Sequence, residues 1–359
     1  MFNVLSLFDG MSCGQIALER AGIKYDHYFA SEIDQYAIEI TLKNYPDTLQ
    51  LGDITSLNTD SLPPIGLLMG GSPCQSFSNA GDHSGFKGKS GLFWEFVRIF
   101  NKVKPKYFLF ENVKMKKEWR DIISRELGVE PILINSALVS AQNRQRYYWT
   151  NLTDKQPKDK GIKLVDVLEA GVVDRDKSFC LDANYFKGTN LKGHLTKNRR
   201  QVVFTERRTE SAKRIRRKFK QAYGVDYSPR RDKELVTRDD DKVNCLTTSG
   251  FTKEHIVLDK SQCILSTMYK ENVKSMLKRN KLGLLVGDED LNNIHFRKLT
   301  PMECERLQTV PDNYTDGVSA TQRYRMIGNG WTVDVIAHML QYIGNKKGAF
   351  NEIKILDLF

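Results

Sequence analysis

The chain is poor in the features that mark several large protein classes. Its 359 residues hold six cysteines, at 13, 74, 180, 245, 263 and 304, and no two are spaced C-x-x-C. Its six histidines are scattered. This pattern argues against structural zinc, and no metal site is predicted. A disulfide framework is not expected in a chain of this length without an apolar leader. No apolar run approaches the roughly 20 residues that span a bilayer. Asp9 interrupts the first strand-like run, so no secretory leader is expected either. The expectation is a soluble, cytoplasmic protein that keeps away from membranes. With 40% hydrophobic residues the chain can build a sizeable core. Its length suits two domains, or one large domain with an insertion.

Positive charge is in excess. The formal net charge is +11 and the pI about 9.2, which points to a polyanionic partner. The surplus is concentrated: residues 187–220 carry 13 Lys or Arg against two acids, Glu206 and Glu210, with Phe186, Phe204 and Phe219 in or beside the run. Part of it, 210–223, reads as a basic helix. Such a segment neutralises phosphates and carries side chains that reach base edges. The alternative is a charged surface insertion.

The amino-terminal half alternates strand and helix. The run 3–8 (NVLSLF) reads as a buried strand, then comes a glycine-containing loop, then a helix with Ile16, Ala17, Leu18 and Ala21 at helical spacing. Strand, glycine loop and helix open a nucleotide-binding βαβ unit, because glycine lets the backbone approach a ligand. Glu32 ends a second strand and suits ribose hydroxyls; Asp53 ends a third and suits an adenine amino group. The run 65–69 is a further buried strand. It empties into the loop GGSPCQSFS at 70–78, with Cys74 at its tip. A helix over 90–102, a strand over 106–110, a helix over 116–127 and strands at 132–136 and 147–149 follow. The rhythm predicts an α/β fold with a doubly wound, mostly parallel, Rossmann-like sheet and a smaller second domain. Beyond about 151 it fails.

Several motifs lie in order along this frame: FDGxxCG at 8–14, Glu32, Asp53, PCQ at 73–75, ENV at 111–113, QNRQR at 142–146, RKLTPMECERLQTVPD at 297–312 and GNGWT at 328–332. Together they resemble the motif set of the DNA (cytosine-5) methyltransferases. SGLFWEF after the cysteine loop and the tryptophan of the last motif are most similar to the de novo branch and to phage and bacterial relatives.

The resemblance implies a class I methyltransferase that uses S-adenosylmethionine, binds double-stranded DNA, acts as a monomer and serves DNA methylation, as in restriction–modification systems. It implies a cofactor and catalytic domain of 1–155 plus 315–359, and a target-recognition domain of 156–314. Cofactor contacts are implied at Phe8, Asp9, Gly10, Gly14, Glu32, Ile33, Asp53, Ile54, Pro73, Leu92, Asn329 and Trp331. The implied catalytic set is Cys74, Glu111, Arg144 and Arg146. Cys74 adds to C6 of a flipped cytosine, Glu111 donates to N3 and Arg146 holds O2, while Arg144 and Gln142 support that arginine and nearby phosphates. Further DNA contacts are implied at Gln75, Ser78, Arg199, Arg200, Arg207, Arg208 and Thr248.

The chemistry fits these residue types. Cytosine C5 is a weak nucleophile until a thiolate at C6 makes it enamine-like. Addition pushes charge toward N3 and O2, where an acid and an arginine stabilise it. The target base must leave the duplex to meet the thiol. Two alternatives stay open. One is an RNA cytosine methyltransferase of the tRNA-acting branch; the other is a catalytically silent DNA-binding relative.

Overall fold

The computed structural model describes residues 1–73, 91–171, 173–189, 194, 200–204, 221 and 296–344, together with the strand backbone at 207–208 and 233–234. The chain divides into two compact units. The first comprises 1–162, 180–187 and 301–359, and the second 163–179 and 188–300. Beside the predicted 1–155 plus 315–359, the first unit also takes in 156–162, 180–187 and 301–314.

The first unit is built on a seven-stranded sheet. Its strands are β1 (Asn3–Leu7), β2 (Tyr28–Ser31), β3 (Leu49–Gln50), β4 (Ile65–Gly70), β5 (Tyr107–Val113), β6 (Ile132–Asn135) and β7 (Gln145–Thr150), in the order β3-β2-β1-β4-β5-β7-β6. Pairing is parallel from β3 through to β5. β7 runs antiparallel between β5 and β6. Every residue of β1 is buried, as expected for a central strand covered on both faces. The sheet is the doubly wound, mostly parallel one predicted.

Helices cover both faces. α1 (Cys13–Arg20) and α2 (Gln35–Asn44) make the first crossovers. α3 (Phe93–Val103) follows the cysteine loop and α4 (Lys117–Leu127) follows β5. Phe93, Phe96 and Ile99 of α3 are fully buried against the sheet, and the Phe96 ring lies 4.7 Å from that of Phe110. Each such ring contributes roughly 2 to 3 kcal/mol by leaving water. This packing fixes the backs of β4 and β5, whose far ends carry the chemistry-bearing residues. α5 (Pro301–Leu307), α6 (Ala320–Asn329) and α7 (Val333–Leu340) complete the unit, with α7 packed on α1. Cys304 and Leu307 of α5 point inward, as predicted.

β5 and β3 differ from expectation. β5 continues through Glu111, Asn112 and Val113, because β7 pairs with it residue for residue to Arg146. β3 stops at Gln50, and Asp53 instead caps a short 3-10 turn by accepting from the Thr55 amide.

The second unit contains β8 (Val202–Phe204) paired antiparallel with β11 (Phe296–Lys298), and β9 (Arg207–Arg208) paired with β10 (Lys233–Glu234). Its described core holds a buried ionic hub. Asp174 accepts from His194, Gln201 and Arg175. Burial pushes this carboxyl up, but bonds from His194 and Arg175 win and leave it below the usual carboxylate range. His194 is fully buried, so the pair reads as a structural tie. The basic helix expected over 210–223 lies outside the described residues, except for position 221.

Close backbone approach explains one glycine. A methyl on Gly328 of α6 would stand 2.4 Å from the backbone of Asp182, where neither side can yield. Gly328→Ala is expected to destabilise the protein by about 2 kcal/mol or more, read as a lowered midpoint in thermal or urea unfolding.

Candidate active site

The site grows from the carboxyl ends of β1, β2, β4 and β5. The loop after β1 is wound tightly: Phe8, Gly10 and Ser12 all have positive φ, at 58°, 61° and 61°. Nothing lies within 4 Å of where a Gly10 side chain would stand, so that position faces open space. The Gly10 amide donates to Glu32 Oε2 at 2.8 Å, and the Ile33 and Asp34 amides donate to Oε1 at 2.8 and 2.9 Å. Glu32 thus ties the β1 loop to the β2 loop while retaining lone pairs for a ligand. Beside it Ile33 is 71% exposed, a large apolar side chain at a polar loop. Asp53 is exposed, and Leu92 and Pro73 are half-buried.

Four residues of the expected cofactor set make close contacts within the protein. Gly14 faces away from the loop: a methyl there would sit 2.6 Å from Tyr28 Oη and 2.8 Å from Met69 Cε, so it serves helix-on-sheet packing. The Ile54 side chain belongs to the hydrophobic core. Asp9 is buried beneath the loop, accepting from Tyr28 Oη at 2.7 Å, and its second oxygen has no hydrogen-bond partner among the described residues. Burial pushes its carboxyl up to about 6, against the opposing effect of the Tyr28 bond. Trp331 belongs to the acid described next.

Glu111 is gripped from two sides. Arg146 Nε lies 2.9 Å from Oε1, and both side chains are largely shielded, at 15% and 12% exposure. The Trp331 Nε1–H donates to Oε2 at 3.2 Å. Gly71, just past β4, makes room: a methyl there would stand 2.9 Å from Oε2 and 3.1 Å from Trp331 Nε1. Asn112, buried beside Glu111, donates to the carbonyl and hydroxyl of Ser72, both at 3.2 Å. It pins the backbone two residues ahead of Cys74. Cys74, Gln75 and Ser78 lie outside the described residues.

Arg144 and Gln142 are both buried. Arg144, expected near phosphates, is 3% exposed and donates to the carbonyls of Leu181 (3.0 Å), Gly328 (3.2 Å) and Gly330 (2.9 Å). Gln142, expected at the DNA, is fully buried; it donates to Leu307 O and Gln308 Oε1 and accepts from the Leu181 amide. Both saturate buried polar groups of the interior. Cys180 lies beside this cluster, 3.6 Å from Arg144 and 4.0 Å from Arg146. Burial raises its thiol, and the two guanidinium groups more than offset that, holding it below the ordinary value. Cys13 is the opposite case, pushed up to about 12 by burial and inert.

Residues that the sequence did not single out hold the last motif in place. Gln308 donates to the carbonyls of Ile327 and Gly330, and Thr332 donates back to Gln308. Glu305, fully buried, accepts from the Asn313 and Thr315 amides and pairs with Arg323 at 3.0 Å. The only signal for Glu305 and Gln308 was their place within the 297–312 motif, and for Thr332 its place in the 328–332 motif. Asn329, at the end of α6, is exposed.

Among the DNA residues expected in the second unit, Arg200 donates to Gly188 O at 2.7 Å while its own carbonyl bonds His194. Arg207 and Arg208 form β9. Arg199 and Thr248 lie outside the described residues. No group of three or more His, Cys, Asp or Glu among the described residues could hold a metal ion.

The family model described as C-5 cytosine-specific DNA methylase matches residues 2–345. The chain belongs to this family. The orphan methyltransferase M.SPRI of Bacillus phage SPR is 34% identical over 187 residues, 47% of this chain and 43% of that protein. The chain thus spans less than half the length of that relative. The Type II methyltransferase M.HpaII of Haemophilus parainfluenzae is 27% identical over 374 residues, covering 96% of this chain and 90% of that one. Among solved structures, the Entamoeba histolytica methyltransferase EhMeth superposes with a TM-score of 0.60 at 16% identity, over 96% of this chain and 98% of that one. The last likeness is one of fold.

Two outcomes test this geometry. Arg144→Ala is expected to lower stability by at least about 3 kcal/mol, because it strands buried carbonyls, and Arg146→Ala by less, because Glu111 keeps its bond from Trp331 and can neutralise by taking up a proton. Comparison of their melting midpoints checks the split. For Asp9 the native carboxyl binds a proton more readily than the unfolded one, so its contribution is present at low pH and lost as pH rises through about 6. The stability of Asp9→Asn relative to wild type should therefore climb, by up to roughly 3 kcal/mol, between about pH 4 and pH 7. A difference flat with pH would refute the assignment.

Proposed function

We propose that the chain is a DNA cytosine-5 methyltransferase that acts on double-stranded DNA with S-adenosylmethionine as methyl donor. The observation that carries this reading is Glu111. It stands at the end of β5, paired with Arg146, beside the Gly71-Ser72-Pro73 turn that leads to Cys74.

The residues present fit such a donor. Open space at Gly10, the exposed Ile33 side chain, the anchored Glu32 carboxylate and the exposed Asp53 suit a nucleoside. Phe8, Leu92, Pro73 and Asn329 lie on the loops and helix ends that would complete the pocket. When bound, the donor supplies an electrophilic methyl group on a sulfonium.

The chain's own groups do the rest. The Cys74 thiolate adds to C6 of a flipped cytosine, forming a carbon–sulfur bond and shifting an electron pair toward N3. Glu111, carrying a proton, donates to N3. Arg146 turns from Glu111 to the O2 side of the ring. Once C5 bears the methyl group, the donor having left as a neutral thioether, N3 returns its proton to Glu111, water or hydroxide takes the C5 proton, and expulsion of the thiolate restores the aromatic ring and frees Cys74. Each stabilising contact of this kind is typically worth about 3 kcal/mol in the transition state. Arg144 acts at one remove, by fixing the segments around Arg146.

The second unit, with the basic run at 187–220, serves as the target-recognition domain. Its Lys and Arg side chains offset the few kcal/mol spent in flipping a base. The protein works as a monomer in the cytoplasm of a bacterium or a phage-infected cell. No helix among the described residues is long and apolar enough to cross a membrane.

Incubation with duplex DNA and labelled S-adenosylmethionine should yield 5-methylcytosine. Cys74→Ala should abolish it, and Glu111→Gln should lower kcat by about 100- to 1,000-fold. Label in the Cys74 variant, or transfer to tRNA in preference to DNA, would overturn the reading.

A further inference from the structure

We infer that Trp331 is a positioning residue for the methyl transfer, acting through Glu111. This rests on the reading of Glu111 as the acid of the reaction. Resemblance assigns the tryptophan to the cofactor pocket; the contacts assign its indole N–H to the acid.

Three observations converge. The Nε1–H donates to Glu111 Oε2 at 3.2 Å, while Arg146 takes Oε1 at 2.9 Å. The contact is built in: Gly71 lies so close that any side chain there would push into both Glu111 Oε2 and Trp331 Nε1. The indole is also held in place. Trp331 is 9% exposed, and the two residues flanking it are tied down. The Gly330 carbonyl accepts from Arg144 and Gln308, and the Thr332 hydroxyl donates to Gln308.

The chemical consequence follows from the geometry of a carboxyl group. When Arg146 turns to the O2 side of a cytosine, Glu111 loses the partner of one oxygen. A fixed N–H on the other oxygen keeps the carboxyl plane from rotating. Oε1 is then left as the atom that carries the proton toward N3. An indole N–H donates and cannot accept, so it directs the proton to Oε1 by excluding it from the N–H side of Oε2. A phenyl ring in its place would fill the space and leave the carboxyl free to turn.

The test has two arms. In the first, Trp331→Phe is measured in the wild-type and Glu111→Gln backgrounds. Loss of a hydrogen bond to a carboxyl that gains charge as it gives up its proton predicts a fall in kcat of about 10- to 100-fold. Cofactor affinity by calorimetry should stay within about twofold, and the Glu111→Gln background should show little further fall. An equal fall in both backgrounds, or weaker cofactor binding with kcat unchanged, overturns the inference. The second arm needs no turnover. Of the four tryptophan indole N–H resonances, the one lost in Trp331→Phe should move in Glu111→Ala. A resonance indifferent to Glu111 refutes the contact. Wild-type protein that transfers no methyl to DNA would sink the reading of the reaction, while the resonance would still report on the tryptophan–glutamate bond.

Discussion

One buried guanidinium holds the site together. Arg144 donates to carbonyls in two separate places: the 180–187 segment, and the turn after α6. A guanidinium out of water is stable only when its donors are satisfied, and here backbone carbonyls do most of that work. Its geometry sets where Gly330 lies, hence where the Trp331 ring lies, hence how Glu111 is gripped. Gln142 and Gln308 reinforce the same joint from within.

The loops at the sheet edge follow a related logic. Backbone amides serve as the fixed donors, and carboxylates bind them. Glu32 collects three amides and so joins the first two loops. Asn112 joins the third loop to β5 through Ser72. Rigid strands thereby carry their precision across irregular backbone, which is what a site on loops requires.

Much of this was legible in the sequence, for definite reasons. Strands such as β1 and β4 are unbroken apolar runs, and α3 shows its buried face in the spacing of Phe93, Phe96 and Ile99. Glu111 was legible through its motif. The different burial of Arg144 and Arg146 was not. Two residues apart on a strand, they would share a face. Arg144 sits just before β7 begins, however, and turns into the interior while Arg146 meets Glu111. Nor does sequence separate a glutamine that bonds a phosphate from one that bonds Leu307 O, since the amide is the same and only burial differs. The grip of Trp331 on Glu111 joins residues far apart in the chain, a relation that no local pattern encodes. Asp9 belongs to the same loop motif, and its burial and its bond from Tyr28 are not written in that motif.

That long reach between Trp331 and Glu111 has a bearing on biosynthesis. The strand bearing the acid leaves the ribosome some 220 residues before the indole that steadies it. The strands of the first sheet are therefore all made before α6 and α7, which are synthesised only after the intervening residues. Contacts of such separation are slow to close. A nascent chain thus lacks the bond between Trp331 and Glu111 for most of its synthesis, and gains it only once α6 and α7 have docked.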